Sequence, residues 1–370
     1  MKRVLALLAA VLLCCLPVLG CAAGRPAAPA RRPAAAHSAV PLLAYYYPWY
    51  DPASWRRGKT DLPLLGRYSS GDPGVVRRHI RWARSAGIDG FMVSWKDTPR
   101  LDARLELLMR TARSEHFKLA MIYQGLDFHR RPLPVDRVAA DFRTFRDRYA
   151  SDSVILRLGG RPLTLFSGTW KYTHAQVGRV TGPVRPALRV LATEKNPEGC
   201  RRLADVTDGD AYYWSSVDPY TAGPAGPAKL RAMARTVHAD GHYWIAPFAP
   251  GFDARPVGGT STVPRRDGRT LRAEYAAAVR SSPDVLGLIS WNEFSENSQV
   301  EPSRSFGTRY LDVLRTLHGA VPGSLAAAGA DSSDGSVRSG TARVLFVTAG
   351  VAVPALAVAC AAAWQRRRRP

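Results

Sequence analysis

The sequence predicts a single α/β domain folded as a (β/α)8 TIM barrel, on three observations. Short apolar, aromatic or β-branched runs alternate with longer amphipathic ones, which is the pattern of repeated βα units on a parallel sheet. Eight such short runs can be counted, at residues 42–47, 90–95, 118–123, 162–166, 188–192, 211–214, 243–248 and 285–291. The stretch that holds them, residues 40–320 of a 370-residue chain, has the usual length of one closed barrel.

The intervening segments carry helix patterns. Asp72-Pro73 supplies an acidic cap and a first-turn proline ahead of 75–86, where Val76, Ile80 and Ala83 repeat at helical spacing. Residues 101–114, 135–149, 228–239, 271–279 and 310–317 show the same periodicity. No Gly-x-Gly-x-x-Gly or Gly-x-x-x-x-Gly-Lys-Ser/Thr loop follows any strand, so a dinucleotide or nucleoside triphosphate site is unsupported and no cofactor is expected.

The two ends are of another kind. Residues 1–24 have the form of a signal peptide: Lys2 and Arg3, then an almost wholly apolar run at 4–19, then small residues. Val18-Leu19-Gly20-Cys21 resembles a lipobox in which Cys21 would be acylated, while Cys21-Ala22-Ala23 fits an ordinary cleavage region equally well. An Ala/Pro/Arg-rich linker, 25–39, leads into the domain, and a Gly/Ala/Ser/Asp-rich stalk, 321–342, leads out of it. Residues 344–364 are then apolar for long enough to cross a hydrocarbon core of about 30 Å, which sets a single transmembrane helix at 343–365. The basic tail 366–370 follows at once, so the positive-inside rule places that tail in the cytoplasm and the barrel outside the cell membrane.

Composition restrains the functional classes. The formal net charge is +22, but much of it sits in the tails, and within the domain Arg alternates with Asp and Glu without a basic-aromatic stripe. A nucleic acid partner is therefore not expected. Of five cysteines only Cys200 lies in the domain, so no intrachain disulfide can form there, and no His/Asp/Glu cluster has the spacing of a metal site.

In a (β/α)8 barrel the active site gathers at the C-terminal ends of the strands. The unusual residues fall there: Tyr46, Tyr47 and Trp49 after strand one, Trp95 at the end of strand two, Gln124 after strand three, Tyr213 at strand six, and Trp291-Asn292-Glu293-Phe294-Ser295-Glu296, with Gln299 beyond, after strand eight. Aromatic planes that stack on sugar rings, mixed with carboxyl and amide groups that pair with hydroxyls, suit a carbohydrate. Tyr46, Tyr47, Trp95 and Tyr213 fit substrate stacking and barrel packing equally well, and His79, within a helix, is read as structural.

Glu293 and Glu296 carry the chemistry. Three residues apart and directly after a buried strand, they would face one way if the chain makes a helical turn there. Two carboxyl groups in one partly dry cleft separate in pKa, giving the acid and the base that glycosidic cleavage needs. A bare Glu-x-x-Glu would mean only a solvated helix face, but here Trp291, Asn292, Gln299, Glu301 and Pro302 surround it instead of a helix pattern.

At this point the chain resembles glycoside hydrolase family 99, the endo-α-mannosidases and endo-α-mannanases. The resemblance rests on Trp-Asn-Glu-Phe-Ser-Glu-Asn-Ser-Gln-Val-Glu-Pro at 291–302, together with Tyr-Tyr-Pro-Trp-Tyr at 46–50, Leu-Gly-Arg-Tyr-Ser-Ser-Gly-Asp-Pro at 65–73, Val-Ser-Trp at 93–95 and Ala-Pro-Gly-Phe-Asp at 249–253 with Arg255-Pro256, in that order along the chain. It implies a retaining cleavage of α-mannosidic linkages in an oligo- or polysaccharide. In that scheme Glu293 takes the proton of the sugar 2-hydroxyl, a 1,2-anhydro sugar forms, and Glu296 serves as acid and then as base toward water. One departure stands out: the family's Glu after strand three is replaced here by Gln124, which keeps the hydrogen-bonding shape and loses the charge. The rival expectations are a related barrel acting on α-glucan or in polysaccharide biosynthesis, and a non-catalytic surface carbohydrate-binding protein.

Overall fold

The computed structural model describes residues 40–318. The expected signal, linker, stalk, membrane segment and tail at 1–39 and 321–370 lie outside the described residues. Among those residues no helix is long and apolar enough to cross a membrane.

Eight parallel strands form the barrel: β1 (Leu42–Tyr46), β2 (Gly90–Trp95), β3 (Lys118–Gln124), β4 (Arg161–Ser167), β5 (Arg189–Leu191), β6 (Gly209–Asp210), β7 (Tyr243–Phe248) and β8 (Val285–Leu288). Pairing runs without interruption from β1 to β5 and from β6 through β7 and β8 back to β1. The remaining seam, β5 to β6, closes through a parallel bridge between Ala192 and Asp210. Ala192 N–H donates to Gly209 O at 2.9 Å and Ala211 N–H to Ala192 O at 2.8 Å, so no strand edge is left open at the seam.

Each strand is followed by a helix: α1 (Pro73–Ser85), α2 (Pro99–Ser114), α3 (Val135–Arg148), α4 (His174–Thr181), α5 (Pro197–Arg202), α6 (Ala225–Ala239), α7 (Arg269–Val279) and α8 (Arg309–His318). Proline opens α1, α2 and α5 behind the caps Asp72, Thr98 and Asn196, which fix where the chain turns from loop to helix. The helices α4 and α5 had no periodic signal. They are eight and six residues long, and Thr173 with Gln176 starts the first through a capping box. Strand β6 is shorter and earlier than the aromatic run at 211–214 suggested, because Tyr212, Tyr213 and Trp214 already belong to the loop above it.

Side chains alternate between two cores. Leu43, Tyr45, Met92, Ala120, Ile122, Leu163, Leu165, Leu191, Ile245 and Val285 fill the barrel interior. Leu42, Ala44, Phe91, Val93, Leu119, Met121, Phe166, Trp244 and Leu286 face the helices. This two-sided burial explains why the strands are apolar throughout rather than at alternate positions. It also makes the face of every rim residue a matter of register: a position odd or even along the strand decides between the mouth and the helix layer. Glycine at 90 lets β3 approach, since a Cβ there would lie 2.5 Å from Lys118 O.

Leu165 is fully enclosed in the interior layer. Leu165→Ala is therefore expected to cost about 2–5 kcal/mol, measured by denaturant unfolding; a loss under 1 kcal/mol would mean that the interior is not packed as described.

Candidate active site at the C-terminal rim

The loop that leaves β8 folds back on itself. Ser290 N–H donates to Ser298 O at 2.8 Å and Val300 N–H to Ser290 O at 3.0 Å, with Asn297 taking a left-handed φ of 47°, which asparagine tolerates. The enclosed residues 294–297 form a turn rather than a helix, so the expected helical turn is replaced by a tighter closed loop. Glu293 N–H donates to Ser290 Oγ at 2.8 Å, and Asp253 N–H to Glu296 O at 2.7 Å, which pins the backbone at both acids.

Behind Glu293 stands the long β1–α1 connection. Tyr50 stacks on Trp55 with ring centroids 4.3 Å apart, and Trp55 meets Phe294 edge-on at 5.4 Å. The Tyr50 hydroxyl donates to Asn292 O at 2.8 Å and lies 3.5 Å from Glu293 Oε1, while Ser295 N–H donates to that same oxygen at 3.0 Å. Glu293 is 7% exposed and Glu296 is half-buried. Above them Tyr47 and Tyr213 share a hydroxyl–hydroxyl hydrogen bond of 2.6 Å, and Trp49, half-exposed, stacks on Tyr47 at 4.4 Å. Both acids act on both of these phenols, whose ionisation is pushed up by burial first and then by their neighbours, the charges of Glu293 and Glu296 among them. The charges of both carboxyl groups are thus felt at one tyrosine pair.

The acids also act on each other. Burial lifts the Glu293 carboxyl from 4.5 to about 7, with the charge of Glu296 as the second cause, against the pull of the Ser295 hydrogen bonds and of Lys59. Burial raises Glu296 as well, and Arg130 draws it back. Lys59 reaches over the Tyr50 and Trp55 rings, 5.9 and 5.7 Å from their centroids, and is the cation nearest in effect to Glu293.

The other residues expected at the site divide by face. Gln124, half-buried at the end of β3, takes the register of Ser167 on the interior side. Tyr46 and Trp95 do not reach the mouth: Tyr46 bonds His79 of α1 and stacks on Phe91, and Trp95 donates to Asp102 of α2 and packs on Phe145 and Tyr149. Trp291 is likewise a core residue, fully buried against His79 and Phe91. These three are corrected to packing roles: the pleat turns Tyr46 and Trp95 toward the helices, and the loop after β8 carries Trp291 to the same side. Asn292 and Gln299 are corrected to positioning roles. Asn292 accepts from Tyr47 N–H at 2.8 Å and donates to Tyr47 O at 3.1 Å, and Gln299 donates to Asp61 at 3.3 Å.

Sequence reasoning missed four supports. Glu301, 2% exposed, accepts from Tyr68 OH at 2.9 Å and meets His79 Nε2 at 3.1 Å, so α1 is tied to the loop that carries both acids through a wholly buried network. Arg265, 7% exposed, donates to Asn297 O at 2.8 Å and Gln299 O at 2.9 Å beneath the loop. Tyr50 and Lys59 complete the set. The aromatic-rich β1–α1 segment was the available signal for Tyr50, and the 291–302 signature that for Glu301. Among the described residues no group of three or more His, Cys, Asp or Glu side chains is arranged to hold a metal ion.

No protein-family profile matches the chain. A rat protein named glycoprotein endo-alpha-1,2-mannosidase is 24% identical over 283 residues, covering 69% of this chain and 60% of its own length. A mouse glycoprotein endo-alpha-1,2-mannosidase-like protein is 25% identical over 338 residues, 74% of this chain and 72% of its own. The chain thus spans about three-fifths of the rat relative. Among solved structures, the GH99 endo-alpha-mannosidase of Bacteroides thetaiotaomicron superposes with a TM-score of 0.64 at 19% identity, over 75% of this chain and 98% of that one. The chain is GH99-like in sequence and in fold.

Folding favours the protonated form of Glu293, since its carboxyl is lifted from 4.5 to about 7. The stability this form contributes is complete below about pH 4.5 and is lost as pH rises through about 7, an effect of about 3 kcal/mol at 1.36 kcal/mol per pH unit. Glu293→Gln, neutral at every pH, is expected to melt above the parent protein at pH 8 and level with it at pH 4; equal melting temperatures at pH 8 would show that Glu293 is not buried in this way.

Proposed function

We propose that this GH99-like chain is a retaining, endo-acting glycoside hydrolase that cleaves α-mannosidic linkages in glycans, with Glu293 and Glu296 as its catalytic pair. The observation that carries the reading is the meeting of two carboxyls of raised pKa around Tyr47 and Tyr213 at the C-terminal rim, where this fold places its chemistry. The names of the relatives supply the sugar; the geometry supports an acid and a base within one site.

In the first step the Glu293 carboxylate accepts the proton of the sugar 2-hydroxyl. That oxygen attacks the anomeric carbon to form a 1,2-anhydro sugar, and the departing glycosidic oxygen takes a proton from Glu296. In the second step the Glu296 carboxylate removes a proton from water, the water oxygen opens the three-membered ring at the anomeric carbon, and Glu293 returns its proton to the 2-oxygen. Two inversions give net retention. Throughout, the pair holds one proton, the state that mutual repulsion favours; in the free protein burial and the Glu296 charge leave that proton on Glu293, so the first step starts from the arrangement in which it has passed to Glu296.

We further place the domain outside the cell membrane. The apolar run at 344–364 and the four arginines at 366–369 support this assignment.

Three measurements check these assignments. Glu296→Gln is expected to lose at least a thousandfold in kcat on an α-mannan with an unchanged melting curve; undiminished turnover sinks the assignment. The profile of kcat/KM should be bell-shaped and fall as pH rises through about 7, where the pair loses its last proton. Cleavage of an α-glucan in place of the mannan would reassign the sugar, and tight glycan binding without any released sugar would make the chain a lectin. Protease treatment of intact cells should release the barrel domain; its protection would reverse the topology.

A further inference from the structure

The rim opposite Glu293 is basic. Lys195, four residues past β5, lies with its Nζ 4.4 Å from the Trp170 ring centroid and 5.5 Å from that of Trp214. Lys229, in α6, stands 5.6 Å from the same Trp214 ring and 4.7 Å from Tyr212, whose hydroxyl accepts its hydrogen bond at 3.0 Å. Lys171 adjoins Trp170, and Arg130 stands exposed on the β3–α3 loop. Trp170, Lys195 and Trp214 each follow the C-terminal end of a strand, so the cluster belongs to the face that carries the acids.

These four cations are little offset by the described residues: the charge of Glu194 acts on Lys195 but is itself held by Arg202. None has an ion-pair partner among the described residues, while the acids of the same rim are taken by other arginines: Asp127 by Arg131 at 3.0 Å, Glu194 by Arg202 at 3.1 Å and Asp218 by Arg266 at 2.9 Å. The lysines also repel one another. Burial depresses Lys195 first, and Arg130 and Lys171 depress it further; Lys229 is lowered by burial and then by Lys195. Converging like charges held over tryptophan faces are costly unless an anion completes them. The Trp214 indole N–H, buried and without a partner, marks the same spot as incomplete. Arg130 links the cluster to the chemistry, because its charge is felt at Glu296.

We propose that the rim formed by Lys171, Lys195 and Lys229 with Trp170 and Trp214 is a subsite for an anionic substituent, a phosphate or a carboxylate, on the glycan. The tryptophans stack the sugar that bears the group, and the lysines hold its charge. Gln124, neutral where the resemblance calls for a glutamate, leaves one carboxylate fewer at the mouth to repel such a substrate. The inference rests on the glycosidase reading for its choice of ligand, and binding can test it without turnover.

The probes are an α-mannan carrying phosphate groups, the same mannan after dephosphorylation, and the dephosphorylated mannan oxidised at C6 to uronate. On the parent protein kcat/KM is expected to be about tenfold higher on a charged mannan than on the neutral one at low salt. That ratio should fall toward one in Lys171→Gln/Lys195→Gln and at about 0.5 M salt, and recover in Lys171→Arg/Lys195→Arg. Preference for phosphate alone, for uronate alone or for both upholds the subsite and names its ligand. A ratio of one on the parent protein, or a ratio that the glutamine variant leaves intact, overturns it. If no mannan is cleaved, the activity reading fails by itself, and calorimetric titration of Glu296→Gln with the three glycans decides the subsite: tighter binding of a charged glycan, lost in the added glutamine substitutions, upholds it, and equal affinities overturn it.

Discussion

The site depends on one pair of hydrogen bonds, through which the Asn292 amide grips the Tyr47 backbone from both sides, at 2.8 Å to the N–H and 3.1 Å to the carbonyl. This contact joins the first strand of the barrel to the last just above the point where regular pairing ends. Strand β8 stops at Leu288 and β1 at Tyr46, and beyond Leu288 the backbone still contributes Trp291 N–H to Tyr45 O at 2.8 Å, directly beside the amide. A side-chain amide supplies a donor and an acceptor together, as a peptide group would, and so extends the sheet by one rung. With that rung in place, Tyr47 is presented to the mouth from one side and Glu293 from the other. Tyr68 and Glu301 then secure Asn292 to α1 through His79, so the outer helix layer backs the loop that carries both acids.

The reason for so much support is electrostatic. A carboxyl that is 7% exposed, beside a second carboxyl, is disfavoured in its charged form, and an unsupported loop would relieve the strain by swinging Glu293 into water. Ser290, Ser295, Tyr50 and the Arg265 clamp beneath Asn297 and Gln299 remove that freedom. The protein keeps an acid where folding would prefer a neutral group, which is the trade of stability for reactivity expected of a catalytic position.

Much of the barrel was legible in the sequence because its evidence is periodic. Strands buried on both faces leave apolar runs, and helices leave a stripe, so seven strands and six helices emerged near their true places. What failed was either short or aperiodic. The helices α4 and α5 are too brief to show a stripe, and β6 contributes two residues before its aromatic continuation leaves the sheet. At the site, Glu293 and Glu296 stood out because acids follow a buried strand directly. The aromatic residues did not sort themselves, since Tyr46 and Tyr47 are adjacent in sequence and face opposite layers, and only the register against β2 and β8 tells which faces the mouth. The supports at Tyr50, Tyr68, Arg265 and Glu301 act across more than thirty residues of chain or from beneath the loop, and no local spacing could reveal them.

The mouth is also polarised. Acids gather where β8 meets β1, and cations without an ion-pair partner among the described residues gather across it on the loops after β3, β4 and β5 and on α6, with Arg130 acting on Glu296. Opposite charges could have been paired inside the rim, as Asp127 and Glu194 are paired with arginines, but that pairing would lower the Glu296 carboxyl and spoil it as an acid. Keeping the two groups apart preserves the raised pKa of the candidate pair and leaves the cations available. A glycan that spans the mouth then experiences a field with a direction: its neutral, reacting sugar belongs at the acidic end, and any charged substituent is drawn to the basic one. Under the proposed function, the same separation that protects the chemistry also orients the chain to be cut.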